Sequence, residues 1–211
     1  MSTRLLYVMD PMCSWCWGFS PVAEALVEQA AAAGVPLHLV VGGLRTGSGA
    51  ALEPATKRYI LEHWQAVHEA TGQAFRFDGA LPDGFVYDTA PACRAIVAAR
   101  SLAPDVAWRL VKEIQQAFYL HGRDVTHGSV LAELAEKAGV PRIEFAEAFD
   151  SVEQHTATAS DFSWVQDLGI AGFPTLLAEN NGQLALLTNG YQPLDVLGPL
   201  LGRWLERNAS A

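Results

Sequence analysis

Cys13 and Cys16 stand in Asp10-Pro11-Met12-Cys13-Ser14-Trp15-Cys16-Trp17-Gly18-Phe19-Ser20-Pro21 and are two of only three cysteines in the chain. Thiols two residues apart can close into a small disulfide ring if the backbone turns between them. The apolar run Leu5-Leu6-Tyr7-Val8 before the motif and the apolar helical pattern after it make that turn a strand-to-helix junction. Cys13 then sits over the helix's unpaired N–H groups, whose partial positive charge favours thiolate, and Cys16 lies one turn inside. Cys13 is therefore the candidate nucleophile and Cys16 the candidate resolving thiol. CxxC is also a zinc knuckle, but tetrahedral zinc needs a second pair of ligands. The chain offers only Cys93 and histidines at 38, 63, 68, 121, 127 and 155. His63 and His68 are five apart and diverge on a helix, so redox chemistry is expected and a metal is not.

Composition narrows the function classes. Half the residues are apolar and 18% are charged, which suits a buried core and disfavours disorder. A net charge of −9 with no Lys/Arg cluster excludes nucleic acid as an expected partner. The run before Asp10 is too short for a signal-peptide core or a membrane span, so the reading is cytoplasmic with no membrane association. Three unevenly placed cysteines do not make a secreted disulfide framework.

The elements that must position the pair follow from periodicity. Arg4 to Met9 reads as a central strand, and Pro21 to Ala33 as helix, with Val22, Leu26, Val27 and Ala30 on one face and Gly34 as its stop. If that helix begins near Cys13, Pro21 falls inside it and kinks it. Leu37 to Val41 is a second strand, ended by Gly42-Gly43, which completes a right-handed parallel βαβ unit. From Arg45 to about Asp167 the apolar residues recur at helical spacing. Helices are predicted from Leu52 to Thr71, after an Asp88-Thr89 cap, from Pro104, from Thr126 or His127 to Lys137, from Pro141, and from about Ser151 to Leu168. Thr175 to Glu179 and Gln183 to Thr188 form a hairpin through Asn180-Asn181-Gly182. Leu194 to Arg207 closes the chain as a helix with Leu197, Leu200, Leu201 and Trp204 buried. Without its helical middle the chain is βαβ followed by ββα. The predicted class is α/β: a thioredoxin fold with halves at residues 1–44 and 168–211, and a large all-helical insertion at residues 45–167.

Gly172-Phe173-Pro174-Thr175-Leu176-Leu177 resembles the thioredoxin-superfamily segment that opens the third strand with a cis-proline facing the active cysteines. Together with the Asp10 to Phe19 motif, Gly42-Gly43-Leu44-Arg45 and Tyr87 to Arg94, it makes the chain resemble the cytoplasmic DsbA-like FrnE subfamily of thiol oxidoreductases. The resemblance spans the whole chain. It implies that Cys13 exchanges with substrate sulfur, that Cys16 resolves the mixed disulfide, and that Pro174 lies against both sulfurs. Phe173 and Thr175 would offer backbone polar groups to substrate. Relatives bury an acid six positions before the first cysteine, where this chain has Tyr7, and Asp10 reads as a turn or cap residue.

Cys93 has two readings, a third redox thiol facing the site or an inert buried cysteine in a helix. Trp15 and Trp17 flank the cysteines as candidate substrate surface, and Arg45 is either a cleft-closing residue or an exposed loop arginine. The leading expectation is a thiol–disulfide oxidoreductase or disulfide isomerase without metal or organic cofactor. Its partners would be protein or small-molecule disulfides and thiols, with glutathione or a thioredoxin-type protein as reductant, and the chain a monomer or weak homodimer. Relatives with the same core and helical insertion, the kappa-type glutathione transferases and hydroxychromene-carboxylate isomerases, use a serine in place of the first cysteine, so the retained Cys13 argues against that glutathione-dependent class. A redox-linked holdase is the third alternative.

Overall fold

The computed structural model describes residues 3–47 and 49–208. β1 (Thr3–Met9), α1 (Ser14–Ala32) and β2 (Leu37–Val41) form a βαβ unit in which the strands are parallel and Tyr7 faces Leu39. Six helices follow: α2 (Pro54–Thr71), α3 (Ala90–Leu102), α4 (Pro104–Tyr119), α5 (Gly128–Ala138), α6 (Arg142–Asp150) and α7 (Val152–Asp167). The chain then returns through β3 (Thr175–Asn180), β4 (Gln183–Asn189) and α8 (Leu194–Asn208). The sheet order is β2-β1-β3-β4, with β3 antiparallel to both neighbours. This is an α/β thioredoxin fold carrying a helical insertion.

β1 is a continuous apolar run because both of its faces are covered. Leu5, Tyr7 and Met9 join the main core with α1, while Leu6 and Val8 join a second cluster with Val40, Val165 and Leu177. Val165 belongs to α7. The sequence division places that helix in the insertion, yet it covers one face of the sheet. Arg100 of α3 and Asp161 of α7 form a two-pronged ion pair, at 2.8 and 3.1 Å, along the β2 edge. Arg100 also donates to the Leu39 carbonyl, and Asp161 accepts from the Val41 N–H at 3.0 Å, so strand groups that an edge leaves unpaired are satisfied.

Several local features depart from the sequence reading. Asp88 Oδ1 accepts the Ala90 N–H at 2.9 Å and satisfies the start of α3, while the Thr89 hydroxyl instead accepts from the Arg45 N–H at 3.3 Å. The hairpin turn is the pair Asn181 and Gly182, both at positive φ, and Asn180 pairs with Gln183 inside the ladder. On α8 the buried side chains are Leu197, Leu201 and Leu205, with Leu200 and Trp204 only half-buried. Ile60 of α2 is half-buried because it borders the groove beside Cys13.

α1 begins at Ser14 and runs through Pro21. A proline has no N–H to offer the carbonyl four residues back, which here is Trp17. The Gln73 side-chain amide donates to that carbonyl at 3.0 Å, so a residue just past α2 supplies the bond the helix lacks. Gly18 lets α2 approach on the same side, since a Cβ there would lie 2.5 Å from Val67 Cγ1. The helix that carries the cysteines is thus fastened to the insertion at two successive residues.

Candidate active site

The β1 to α1 junction places Cys13 at the N-cap of α1, with its N–H donated to the Asp10 carbonyl at 3.0 Å and its own carbonyl accepting from Trp17 N–H. Cys13 is 5% exposed and Cys16 is 0% exposed. That difference decides which sulfur a substrate meets first. Burial pushes the Cys16 thiol well above its ordinary value, reinforced by hydrogen bonding and charge from Cys13. Burial thus favours the neutral thiol at Cys16.

The Phe173–Pro174 peptide is cis, and Cys13 Sγ approaches the Phe173 carbonyl at 3.7 Å. Cys13 and the proline segment, 160 residues apart in sequence, thus meet at one place. Gly42, at the end of β2, makes room for this segment. A Cβ there would stand 2.0 Å from Phe173 Cζ. Gly43 likewise leaves space for the Phe162 ring, 2.9 Å from where a Cβ would be.

A groove of about 240 Å³ opens at Cys13, lined by Ser14, Trp15, Arg45, Tyr59, His63 and Tyr87 among others. Trp15 is half-buried in its wall, with its ring 6.2 Å from Tyr191. Arg45 is half-buried, its guanidinium 5.7 Å from the Tyr87 ring centre, so it is a wall residue rather than a free loop arginine. A larger cavity of about 500 Å³ lies beside β2 between Leu37, Arg100 and Trp108 and is lined by no cysteine. The groove at Cys13 is where sulfur chemistry can occur.

Two of the residues proposed from sequence as substrate surface face inward. Trp17 is 6% exposed, donates its indole N–H to the Ala74 carbonyl at 2.9 Å and stacks on Tyr119. Its role is to join α1 to the insertion. Thr175 is buried, its hydroxyl bonded to Gly172 O and Asn189 Oδ1, and it sits in register with both Val8 and Asn189. Its backbone belongs to the sheet interior.

Asp10, Cys93 and Tyr7 lie behind the pair. Asp10 is more than a turn residue: it is 0% exposed, with Oδ1 accepting the Met12 N–H at 2.8 Å and Oδ2 accepting the Leu44 N–H at 2.7 Å. The Cys93 thiol donates to the same Oδ2 at 3.3 Å. Burial raises the Asp10 carboxyl, opposed by the bonds from Leu44, Thr89, Met12 and Cys93. Cys93 is itself fully buried, its thiol pushed up by burial and by Asp10, so it borders the motif from behind. Tyr7, at the position where relatives keep an acid, is fully buried, and burial together with the neighbouring Cys16 and Cys13 pushes its phenol well up. A neutral phenol there cannot serve as a base. Tyr87 fixes the motif from the insertion by donating its hydroxyl to the Met12 carbonyl at 2.5 Å.

Among the described residues, no group of three His, Cys, Asp or Glu is arranged to hold a metal, and no helix is long and apolar enough to cross a membrane.

Known proteins share this fold. A structure from Nitrosomonas europaea, described as a candidate protein disulfide isomerase, is 39% identical, with a TM-score of 0.89 over 98% of this chain and 99% of that one. The cytosolic disulfide reductase DsbM from Pseudomonas aeruginosa is 31% identical, with a TM-score of 0.80 over 97% of this chain and 99% of its own. A second DsbM structure, with GSH, has a TM-score of 0.77 over 95% of this chain and 98% of that one. Among curated proteins, the ClpXP adapter protein SpxH of Halalkalibacterium halodurans is 24% identical over 94% of this chain. This chain spans 68%, 55% and 64% of the lengths of the three SpxH proteins it matches. The model of the DSBA-like thioredoxin domain matches residues 4–201, and the chain belongs to that family.

Proposed function

We propose that this protein is a cytoplasmic thiol–disulfide oxidoreductase that works through Cys13 and Cys16 on protein or small-molecule disulfides. The observation that carries the reading is the asymmetry of the pair. Cys13 borders the groove beside the Phe173–Pro174 segment, and Cys16 is fully buried one turn behind it. The Cys13 thiolate attacks one sulfur of a substrate disulfide, and the other leaves as thiolate and takes a proton. Cys16 then gives up its proton and attacks Cys13 Sγ. The substrate's second sulfur departs as thiol, two electrons have passed to the substrate, and the Cys13–Cys16 disulfide remains. An external thiol resets it.

Glutathione suits that last role. Arg45, His63 and the Tyr59 hydroxyl line the groove and present cationic and hydrogen-bonding groups to an acidic thiol peptide, and a DsbM structure was obtained with GSH. The adapter activity named for SpxH and the holdase alternative make a different demand: a binding surface that works without the thiols. Glutathione-coupled disulfide reduction by wild type and by a Cys13→Ser, Cys16→Ser double variant separates the readings. Turnover falling to background in the double variant supports the proposal; a double variant that keeps the protein's main activity refutes it.

A further inference from the structure

Gln73 lies two residues beyond the end of α2 and has no task in the exchange steps above. Its backbone is tied to the last turn of that helix from both sides. The Gln73 N–H donates to the Thr71 hydroxyl at 3.2 Å, and the Gln73 carbonyl accepts from His68 Nδ1 at 2.8 Å. The Thr71 hydroxyl in turn donates to the Val67 carbonyl at 2.7 Å. From this braced backbone the side-chain amide reaches the Trp17 carbonyl at 3.0 Å, and the Trp17 indole returns a bond to the Ala74 carbonyl at 2.9 Å. Two reciprocal bonds therefore lock the residue after Cys16 to the end of α2. The other half of α2 is a wall of the groove at Cys13: Tyr59, Ile60, His63 and Trp64 line it together with Cys13, Ser14 and Trp15 from the start of α1.

The side chains that α2 buries are Trp64 and Val67. Trp64 packs on the rings of Phe75, Phe118 and Tyr119, and Val67 lies against Gly18. Apolar contacts hold a helix down with little directional preference, whereas hydrogen bonds fix distance and angle. We propose that Gln73 is a positioning residue that sets the spacing of the α2 wall from Cys13 and so determines the groove's preference for small disulfides, such as glutathione disulfide, over protein disulfides. The proposal rests on the reading of Cys13 as the attacking thiol. A small disulfide must touch both walls at once to be held, while a protein disulfide brings its own surface and meets the rim as well. Gln73 touches no substrate and acts through α2.

A purely structural role for Gln73 is separable from this one. Pro21 lacks the N–H that would reach the Trp17 carbonyl, so Gln73→Ala orphans that carbonyl and lowers stability. In a Pro21→Ala background the helix supplies its own N–H, and that part of the loss should vanish. The attachment of α2 to Trp17 through the amide is lost in both backgrounds.

The test uses wild type, Gln73→Ala, Pro21→Ala and the double variant, each reduced and then mixed with rising concentrations of glutathione disulfide or of insulin. Oxidation of Cys13 and Cys16 is followed by acid quench, alkylation and mass analysis. Gln73→Ala should raise the half-saturating concentration of glutathione disulfide about threefold to tenfold, the worth of a neutral hydrogen bond, with the limiting rate and the rate with insulin unchanged. Alkylation of Cys13 by iodoacetamide, which needs no second wall, should match wild type. The double variant should recover urea stability and keep the glutathione defect. Equal losses with both disulfides, no loss with either, or a glutathione defect that disappears in the Pro21→Ala background overturns the proposal. If Gln73→Ala does not fold, the double variant decides against Pro21→Ala by the same comparison of the two disulfides. A wild type whose Cys13 and Cys16 are oxidised by neither disulfide contradicts the underlying reading, and the proposal falls with it.

Discussion

A Cys16→Ser variant should accumulate a stable mixed disulfide between Cys13 and its substrate, and Cys13→Ser should form none and lose turnover to the uncatalysed rate. The two effects differ because the sulfurs do. Cys13 is at the groove with its sulfur 3.7 Å from the Phe173 carbonyl, whereas Cys16 has no exposed surface and a thiol that burial keeps protonated. Removing the first eliminates the attacking atom; removing the second leaves attack intact and removes only the escape. Incubation with glutathione disulfide and intact-mass analysis reads both outcomes, with one added glutathione expected on Cys16→Ser. Adducts on Cys93, or equal adduct formation by both variants, would count against the assignment. Burial of Cys93 and its bond to Asp10 make it a poor competitor.

Gly42→Ala should damage both stability and turnover, although residue 42 touches no sulfur. The new methyl would fall 2.0 Å from Phe173 Cζ and 2.2 Å from Cε1, so the ring must leave its site. Overpacking of this kind costs about 1–3 kcal/mol. The ring belongs to the residue whose carbonyl faces Cys13, so its displacement also shifts the wall on which substrate is aligned. Urea unfolding and turnover should fall together, and a Gly42→Ala, Phe173→Leu double variant should recover much of the stability. Purely additive losses in that cycle would show that the two residues are not in competition for the same space.

Much of the framework was legible in the sequence because it depends on local signals. The Cys13–Cys16 spacing, the apolar strand run from Arg4 to Met9, the Asn181-Gly182 turn and the helix stops at Gly139 and Gly169 each follow from nearby residues. What was not legible depends on partners far apart in the chain. Trp17 looked like substrate surface because it flanks Cys16, but its indole is spent on Ala74 and Tyr119. Thr175 looked available because it follows Pro174, but two strands pair with it. Asp10 looked like a turn residue because its bond to Met12 is local. Its bonds to Leu44 and Cys93 span 34 and 83 residues, and no pattern at helical or strand period reports such contacts. The Gly42-Gly43 pair signalled a strand end, yet its stronger reason is space for Phe173 and Phe162. α7 read as one more insertion helix, and only the second core cluster shows that it covers the sheet.

The most direct test of the account is a redox titration of the wild-type protein against glutathione, with the disulfide located by mass mapping at each point. One two-electron transition is expected, in which Cys13 and Cys16 pair with each other while Cys93 remains a thiol throughout. A midpoint near the thioredoxin value of about −270 mV would mark a reductase, and one near about −180 mV an isomerase or oxidase. Absence of a Cys13–Cys16 disulfide at every glutathione ratio, or a transition that pairs either cysteine with Cys93, would contradict it.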